Sequence, residues 1–272
     1  MLQHSREERR QQLTMNAKQT RPPVVLAVGC HPDDIEFMMG GTLLVLQDLG
    51  AEIHYMNVAD GCCGTLEYGR EEIIEIREQE ARQAAQYLGA AWYPSIEHDL
   101  EVVYSLELVR KVAAVVRTAA PDIMLVPALQ DYMEDHMNTA RIAVTAAFTR
   151  GMPNFLTDPE TDVITRDIAL YHALPYGLHD GLGNKAAAHF YADISEVIDR
   201  KETLLAFHRS QRNWLDDSQH LDSYLQTMRS MSAQAGRDSK AFVFAEGWVR
   251  HNPLGYSEAD FRPLEELVNI SE

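Results

Sequence analysis

Apolar runs alternate with segments of helical periodicity along the first half of the chain. The runs typical of buried strands are Val24–Cys30, Ile53–Val58, Trp92–Ile96 and Ile123–Val126. The segments with helical spacing that follow them are Ile35–Leu49, Arg70–Leu88, Leu106–Ala119 and Met137–Thr149. Four strand-helix units in series predict a parallel sheet, because right-handed crossovers place the helices on both of its faces. The fold class is therefore α/β with a Rossmann-like parallel sheet.

Beyond Pro153 the pattern is less regular. Strands are predicted at Ile168–Ala173, Phe190–Ile194 and Ala241–Val249, and helices at Val197–Arg209 and Leu215–Ala235. We expect a flexible N-terminal tail over residues 1–22, a Rossmann-like metal-hydrolase core over 23–152, and an irregular α+β C-terminal extension over 153–272 that completes the same domain. The segment from Trp214 to Ala235 carries apolar residues at helical spacing outside the core, which fits a lid or a contact in a homo-oligomer.

Composition and charge narrow the class of function. The chain has 272 residues, of which 46% are hydrophobic, so it can bury a sizeable core. It carries 24 basic and 41 acidic residues, a formal charge of −17, so nucleic acid is not an expected partner. No segment approaches the roughly 18 uninterrupted apolar residues of a spanning helix, so no membrane partner is expected. Three cysteines, two of them adjacent, do not form a disulfide framework, and a cytoplasmic location follows.

Two clusters of polar side chains follow the first and fourth predicted strands. The first is His31-Pro32-Asp33-Asp34-Ile35-Glu36, and the second comprises Asp131, Glu134, Asp135 and His136. The carboxyl ends of these strands lie at one edge of a doubly wound sheet, so His31, Asp34 and His136 are expected to converge. Two imidazoles and one carboxylate that leave positions open for water and substrate suit a hydrolytic Zn²⁺ site, and they also suit Fe²⁺.

These strings resemble the LmbE/PIG-L family of zinc-dependent N-deacetylases over about residues 24 to 150. The resemblance also includes Gly40-Gly41-Thr42, Gly64-Thr65 and the Arg77–Gly89 helix. It implies that His31, Asp34 and His136 bind the metal, that Asp33 is the general base, and that Arg77 faces the substrate. The implied reaction removes an acetyl or other acyl group from the nitrogen of a small molecule, an N-acetyl amino sugar or its conjugate.

One position departs from the family pattern. Members usually carry a histidine where this chain has Met133, and that histidine helps to stabilise the tetrahedral oxyanion. A methionine side chain cannot donate a hydrogen bond, and the loss of one such donor typically costs about 10²- to 10³-fold in rate. The candidate replacements are His172, His179 and His251, of which His251 could complete the site of a neighbouring subunit.

Several alternatives stay open. His-Pro-Asp-Asp could be a helix cap alone. Arg77 could belong to a solvated ion-pair face of its glutamate-rich helix. The same metal site could cleave a non-sugar amide or a thiol conjugate, or bind metal without catalysis. A nucleotide-binding module is disfavoured, because the first turn lacks G-x-G-x-x-G. Cys62 and Cys63 are expected to fill space in their loop instead of binding a metal.

Overall fold

The computed structural model describes residues 21–211 and 224–272. The predicted tail, apart from Arg21 and Pro22, therefore lies outside the described residues. So do Trp214, Leu215 and Leu221 of the predicted lid or oligomer contact. Within the described part of the chain, no helix is long and apolar enough to cross a membrane.

In the described parts of the chain, eight strands form a single mixed sheet. The strands are β1 (Val24–Gly29), β2 (Glu52–Asn57), β3 (Ala91–Tyr93), β4 (Ile123–Val126), β5 (Ala169–Ala173), β6 (Phe190–Asp193), β7 (Ala245–Arg250) and β8 (Ile270–Ser271). Their order across the sheet is β3-β2-β1-β4-β5-β7-β6-β8. The first five strands are parallel, and β7, β6 and β8 add antiparallel pairings. Because β2 and β4 flank β1 on opposite sides, the carboxyl ends of β1 and β4 form the crevice where such sheets bind ligands.

Helices cover both faces of the sheet, as predicted. They are α1 (Asp34–Met38), α2 (Gly40–Asp48), α3 (Arg70–Tyr87), α4 (Leu106–Ala119), α5 (Glu134–Phe148), α6 (Ile198–Leu205), α7 (Tyr224–Ser239) and α8 (Pro263–Leu267). Alternate residues of β1 belong to two different cores. Val25 and Ala27 pack in one core with residues of α1, α2, α3, α6 and α7. Leu26 and Val28 pack in the other with residues of α4 and α5.

The prediction of a single helix over Ile35–Leu49 is wrong, because the segment is interrupted at Met39 and forms two helices, α1 and α2. The break creates a helix N-terminus inside the protein. The carboxylate of Glu246 on β7 accepts hydrogen bonds there from the backbone N–H groups of Gly41, at 2.8 Å, and Thr42, at 2.7 Å. A carboxylate at this position satisfies amides that would otherwise lack partners, so the distant strand β7 stabilises the interruption.

The C-terminal half continues the same sheet. Its helix α6 carries Lys201, whose amine lies 2.8 Å from Glu246 Oε1, and both side chains are almost fully buried. A second buried pair joins His208 Nε2 to Glu36 Oε2 at 3.2 Å. Through Glu246, which also accepts from Gly41 and Thr42, and through the His208–Glu36 pair, the C-terminal half contacts the helices that follow β1.

Candidate active site

The three side chains expected to bind a metal converge at the crevice. His31 follows β1, Asp34 is the first residue of α1, and His136 lies in the first turn of α5. His31 Nδ1 lies 3.2 Å from His136 Nε2 and 3.6 Å from Asp34 Oδ2, and His136 Nε2 lies 3.4 Å from the same carboxylate oxygen. Ligands about 2.0 to 2.2 Å from a tetrahedral zinc ion have similar mutual separations. The donor set therefore fits a divalent cation.

Carboxylates lie behind both imidazoles. His31 Nε2 lies 3.3 Å from Asp135 Oδ2 and 3.5 Å from Asp99 Oδ1, and His136 Nδ1 lies 3.1 Å from Asp131 Oδ1. Burial opposes protonation of both rings, but their anionic neighbours raise the pKa of each above its ordinary value. Carboxylates in this position orient ligand imidazoles and increase their basicity. Sequence reasoning missed Asp99, for which the only signal is its place after β3.

The Asp34 carboxylate is fixed by the backbone of the turn. Its Oδ2 accepts hydrogen bonds from the N–H groups of Cys30, at 3.1 Å, and His31, at 2.8 Å. Burial favours the neutral acid, but His136 and His31 outweigh this and hold the pKa of Asp34 well below its usual range. Asp34 therefore stays ionised, as a ligand carboxylate must.

Asp33 has a different environment from its neighbour. Its φ of 116° lies in a region that side-chain-bearing residues rarely adopt, and such outliers concentrate at functional sites. Its Oδ2 accepts a 2.5 Å hydrogen bond from the hydroxyl of Tyr224 on α7, and its Oδ1 lies 3.6 Å from the Arg77 guanidinium. Burial raises the pKa of Asp33 to about 6, although Arg77 opposes the shift. A carboxylate with this pKa is suited to proton transfer near neutral pH.

Arg77 is buried, in contrast to most of the glutamates of its helix. It donates hydrogen bonds to the carbonyl oxygens of Gly61, at 3.0 Å, and Pro32, at 2.6 Å. A side chain at Gly61 or Gly64 would overlap the guanidinium. The solvated ion-pair alternative is therefore wrong, because Arg77 is 2% exposed and holds two loops together at the cavity.

A cavity of about 370 Å³ opens onto His31, Asp33, Asp34 and His136. Much of its lining is apolar or aromatic, with Phe37, Met38, Met39, Leu100, Tyr132, Met133, Leu174, Tyr176 and Tyr224. The Tyr132 ring meets the His136 ring edge-on at 5.7 Å between centroids, and Tyr176 lies 5.9 Å from Tyr132. Sequence reasoning missed these tyrosines, and only Tyr132 carried a signal, its place beside Met133.

The structure does not bring the three replacement histidines into this cavity. His172 Nδ1 is 2.7 Å from the Pro127 carbonyl oxygen, and its Nε2 is 3.0 Å from His251 Nδ1. His179 contacts the Gly177 carbonyl oxygen in an exposed loop. None of the three is among the described residues that line the cavity. Within one chain the expectation for His172 and His251 is therefore corrected, because the two rings hydrogen-bond to each other and neither lines the cavity.

The fold and the site define a Rossmann-like α/β protein with a candidate mononuclear metal centre at its switch point. Residues 26–147 match the family model of PIG-L, the GlcNAc-PI de-N-acetylases. The match lies in the same part of the chain as the LmbE/PIG-L motifs and confirms the resemblance predicted from the sequence. The diacetylchitobiose deacetylase of Thermococcus kodakarensis is 27% identical over 194 residues, which are 69% of this chain and 69% of that protein.

Two solved structures share the fold. GalB, the 4-carboxy-2-hydroxymuconate hydratase of Pseudomonas putida KT2440, matches with a TM-score of 0.69 and 20% identity, covering 83% of this chain and 95% of that one. The N,N'-diacetylchitobiose deacetylase of Pyrococcus horikoshii matches with a TM-score of 0.67 and 24% identity, covering 97% of this chain and 99% of that one. At these identities the likeness establishes the architecture alone.

Proposed function

We propose that the protein is a metal-dependent hydrolase that removes the acetyl group from the nitrogen of an N-acetyl amino sugar or its conjugate. The observation that carries the proposal is the convergence of His31 Nδ1, Asp34 Oδ2 and His136 Nε2 beside the separate carboxylate of Asp33. The sequence relative from Thermococcus kodakarensis, named as a deacetylase, supports the same assignment.

His31, Asp34 and His136 would hold Zn²⁺, or Fe²⁺, in this site. Such a cation would supply Lewis acidity toward the amide carbonyl and would make water more acidic. Asp33 accepts the proton of the attacking water and returns it to the departing amine, since its pKa of about 6 permits both transfers. The Tyr224 hydroxyl fixes one oxygen of Asp33 and leaves the other toward Arg77.

Tyr132 supplies the hydrogen-bond donor that Met133 lacks. It borders the cavity, and its ring packs against His136. Tyr132 is 58% exposed, but partial desolvation of its phenol and the carboxylates of Asp34, Asp131 and Asp33 raise the pKa of that phenol, so its proton is retained for donation. A neutral phenol beside the reacting carbonyl can stabilise developing negative charge as an oxyanion-hole donor does. In this interpretation the histidine of the family pattern is replaced by the adjacent residue in the same motif.

The cavity favours an uncharged substrate over a polycarboxylate. Arg77 is the sole lysine or arginine among the described residues that line it, and its guanidinium is already bound to two carbonyl groups. The aromatic rings of Phe37, Tyr132 and Tyr176 instead offer faces against which a sugar ring can pack. An N-acetyl sugar therefore fits this lining better than the substrate named for the GalB hydratase.

The test is amine release from N-acetylated sugars. Protein stripped with a chelator and reloaded with Zn²⁺ should release primary amine from N-acetylglucosamine or N,N'-diacetylchitobiose, and the stripped protein should not. N-acetylated thiol conjugates and simple acylamines form the comparison panel. Release from these compounds alone would contradict the sugar assignment, and no release from any amide by the reloaded protein would contradict the hydrolase.

A further inference from the structure

A second group of metal-binding side chains lies outside the catalytic cavity. Asp60 follows β2, Cys62 lies two residues further along, and His98 follows β3. One ligand atom from each, a carboxylate oxygen, a sulfur and an imidazole nitrogen, lies within 4.8 Å of the other two. His98 Nδ1 and Asp60 Oδ2 are in direct contact. None of these three side chains belongs to the cluster of His31, Asp34 and His136.

The backbone holds the three donors in place. The N–H of Asp60 donates to the Glu97 carbonyl at 3.0 Å, and the N–H of Glu97 donates to Val58 at 3.0 Å, so the segment before His98 runs beside the end of β2. The N–H of Cys62 donates to Asp60 Oδ1 at 3.0 Å. The donors are therefore positioned by the main chain, and ordering them on an ion costs little conformational entropy.

The chemistry of the group matches a borderline-soft divalent cation. Thiolate sulfur, imidazole nitrogen and carboxylate oxygen are the three ligand types that Zn²⁺ uses in proteins. The two positive charges of such a cation would neutralise the negative charges of one carboxylate and one thiolate, with His98 neutral.

Solvent can reach Asp60 and His98 through a cavity that is separate from the catalytic one. A separate cavity of about 230 Å³ is lined by Asp60, Glu97, His98 and Glu78. The His98 side chain is 45% exposed there, whereas Asp60 and Cys62 are buried. An ion can therefore enter this cavity and keep a water molecule as its fourth ligand. A small movement of the His98 ring away from Asp60 would make room for the ion.

We propose that Asp60, Cys62 and His98 form a second metal site, suited to Zn²⁺ or Co²⁺, that fixes the loop of residues 60–64 against the segment after β3. This loop carries Cys63 and Gly64, which line the catalytic cavity. Its amides at Gly61 and Cys63 donate to Asp99, at 2.9 and 3.1 Å, and Asp99 Oδ1 lies 3.5 Å from His31 Nε2. The second ion thus steadies a loop that supports the first site, and the proposal does not depend on the substrate.

Cobalt substitution tests the proposal through a readout that catalysis does not influence. Full-length protein is stripped with a chelator and titrated with Co²⁺, and the near-ultraviolet absorption is followed, because thiolate ligation gives a sulfur-to-cobalt charge-transfer band. The wild type should show this band and bind about two ions per chain. Cys62→Ser and His98→Ala should each lose one equivalent, and Cys62→Ser should abolish the band. His136→Ala should lose the other equivalent and keep the band.

Matched cysteine variants complete the experiment. Cys63→Ser changes the adjacent thiol, and Cys30→Ser changes the thiol beside His31, so both should keep the charge-transfer band if Cys62 is the ligand. Because the His98 side chain is half exposed, His98→Ala is expected to fold even if Cys62→Ser does not. A band that persists in Cys62→Ser, or wild-type protein that binds a single ion with no band, would overturn the proposal.

Discussion

The two halves of the chain contribute different things to the catalytic cavity. The half before residue 150 supplies the atoms that would bind a cation and Asp33 beside them, all within two short motifs at the ends of β1 and β4. The C-terminal half supplies side chains that hold these groups, including Tyr224 on Asp33, His208 on Glu36 and Glu246 on α2. The candidate reactive groups therefore come from the first half, and part of their positioning comes from the second half, which is testable variant by variant.

The largest loss is expected from Asp33→Asn in the N-terminal half. An amide keeps the shape of the carboxylate but cannot accept the proton, so deacetylation should slow by about 10²- to 10⁴-fold. Metal content should stay at the wild-type value, since Asp33 is not one of the three converging donors. Amine release and bound metal are measured on the same sample. Full activity in Asp33→Asn would show that another group accepts the proton.

The second largest effect concerns stability and lies in the C-terminal half. Glu246→Gln leaves the buried amine of Lys201 without its carboxylate and weakens the cap of α2. Removing one partner of a buried ion pair costs about 3 to 5 kcal/mol, so the urea midpoint should fall strongly. Lys201→Met should cost less, because three donors from Gly41 and Thr42 still satisfy Glu246.

A surface pair offers the control for that measurement. Lys185 Nζ lies 2.6 Å from Asp238 Oδ1, and the lysine side chain is 54% exposed. Lys185→Met should therefore change the free energy of unfolding by less than about 1 kcal/mol. Equal losses for Glu246→Gln and Lys185→Met would mean that the buried Glu246 carboxylate does not stabilise the contact between the two halves.

The effect of Tyr132→Phe is expected to be the next in size. This variant tests whether Tyr132, and not a histidine, replaces the hydrogen-bond donor that is absent at Met133. We expect kcat to fall by about 10²- to 10³-fold with little change in KM, as for other oxyanion donors. His172→Ala and His251→Ala should stay within a few-fold of the wild type.

If Tyr132→Phe were fast and a histidine variant slow, that histidine would be the oxyanion donor. If His251→Ala alone were slow, mixing it with Asp33→Asn protein would decide whether His251 acts in a neighbouring subunit, because only a shared site could regain activity in the mixture. Sedimentation of the wild type then reports whether the required oligomer forms.

The difference between the two halves also explains which parts of the site could be predicted from the sequence. His31, Asp34 and His136 were predictable, because each follows a recognisable strand and parallel strands bring their carboxyl ends to one edge. Tyr224 was not, because its contact with Asp33 spans 191 residues and depends on how α7 packs. The break at Met39 likewise depends on Glu246 of β7, and local periodicity carries no signal of a cap from a distant strand.

The strand order after residue 153 was equally hidden. The strands near Phe190 and Ala245 were predicted from their apolar residues, but β7 inserts between β5 and β6, and pairing order depends on contacts that no local pattern encodes. That insertion also places His251 against His172, and neither residue lines the cavity of its own chain.

The smallest effect is expected from Tyr224→Phe. This variant tests a single hydrogen bond between the two halves of the chain. The change removes the hydroxyl that donates to Asp33 and keeps the ring, whose centroid is 5.5 Å from that of Phe37. A hydrogen bond to a carboxylate favours its ionised form, so its loss should raise the pKa of Asp33 by about one unit.

The sign of that shift fixes the outcome. Asp33 must be ionised to accept a proton, so the rate falls as the pH drops through its pKa, which is about 6 in the wild type. A higher pKa in Tyr224→Phe moves this acidic limb to higher pH, with a loss of about tenfold on the acidic side and almost none well above neutrality. A uniform loss at every pH would instead assign Tyr224 to packing. An unchanged pH profile would mean that residues of the first half alone set the pKa of Asp33.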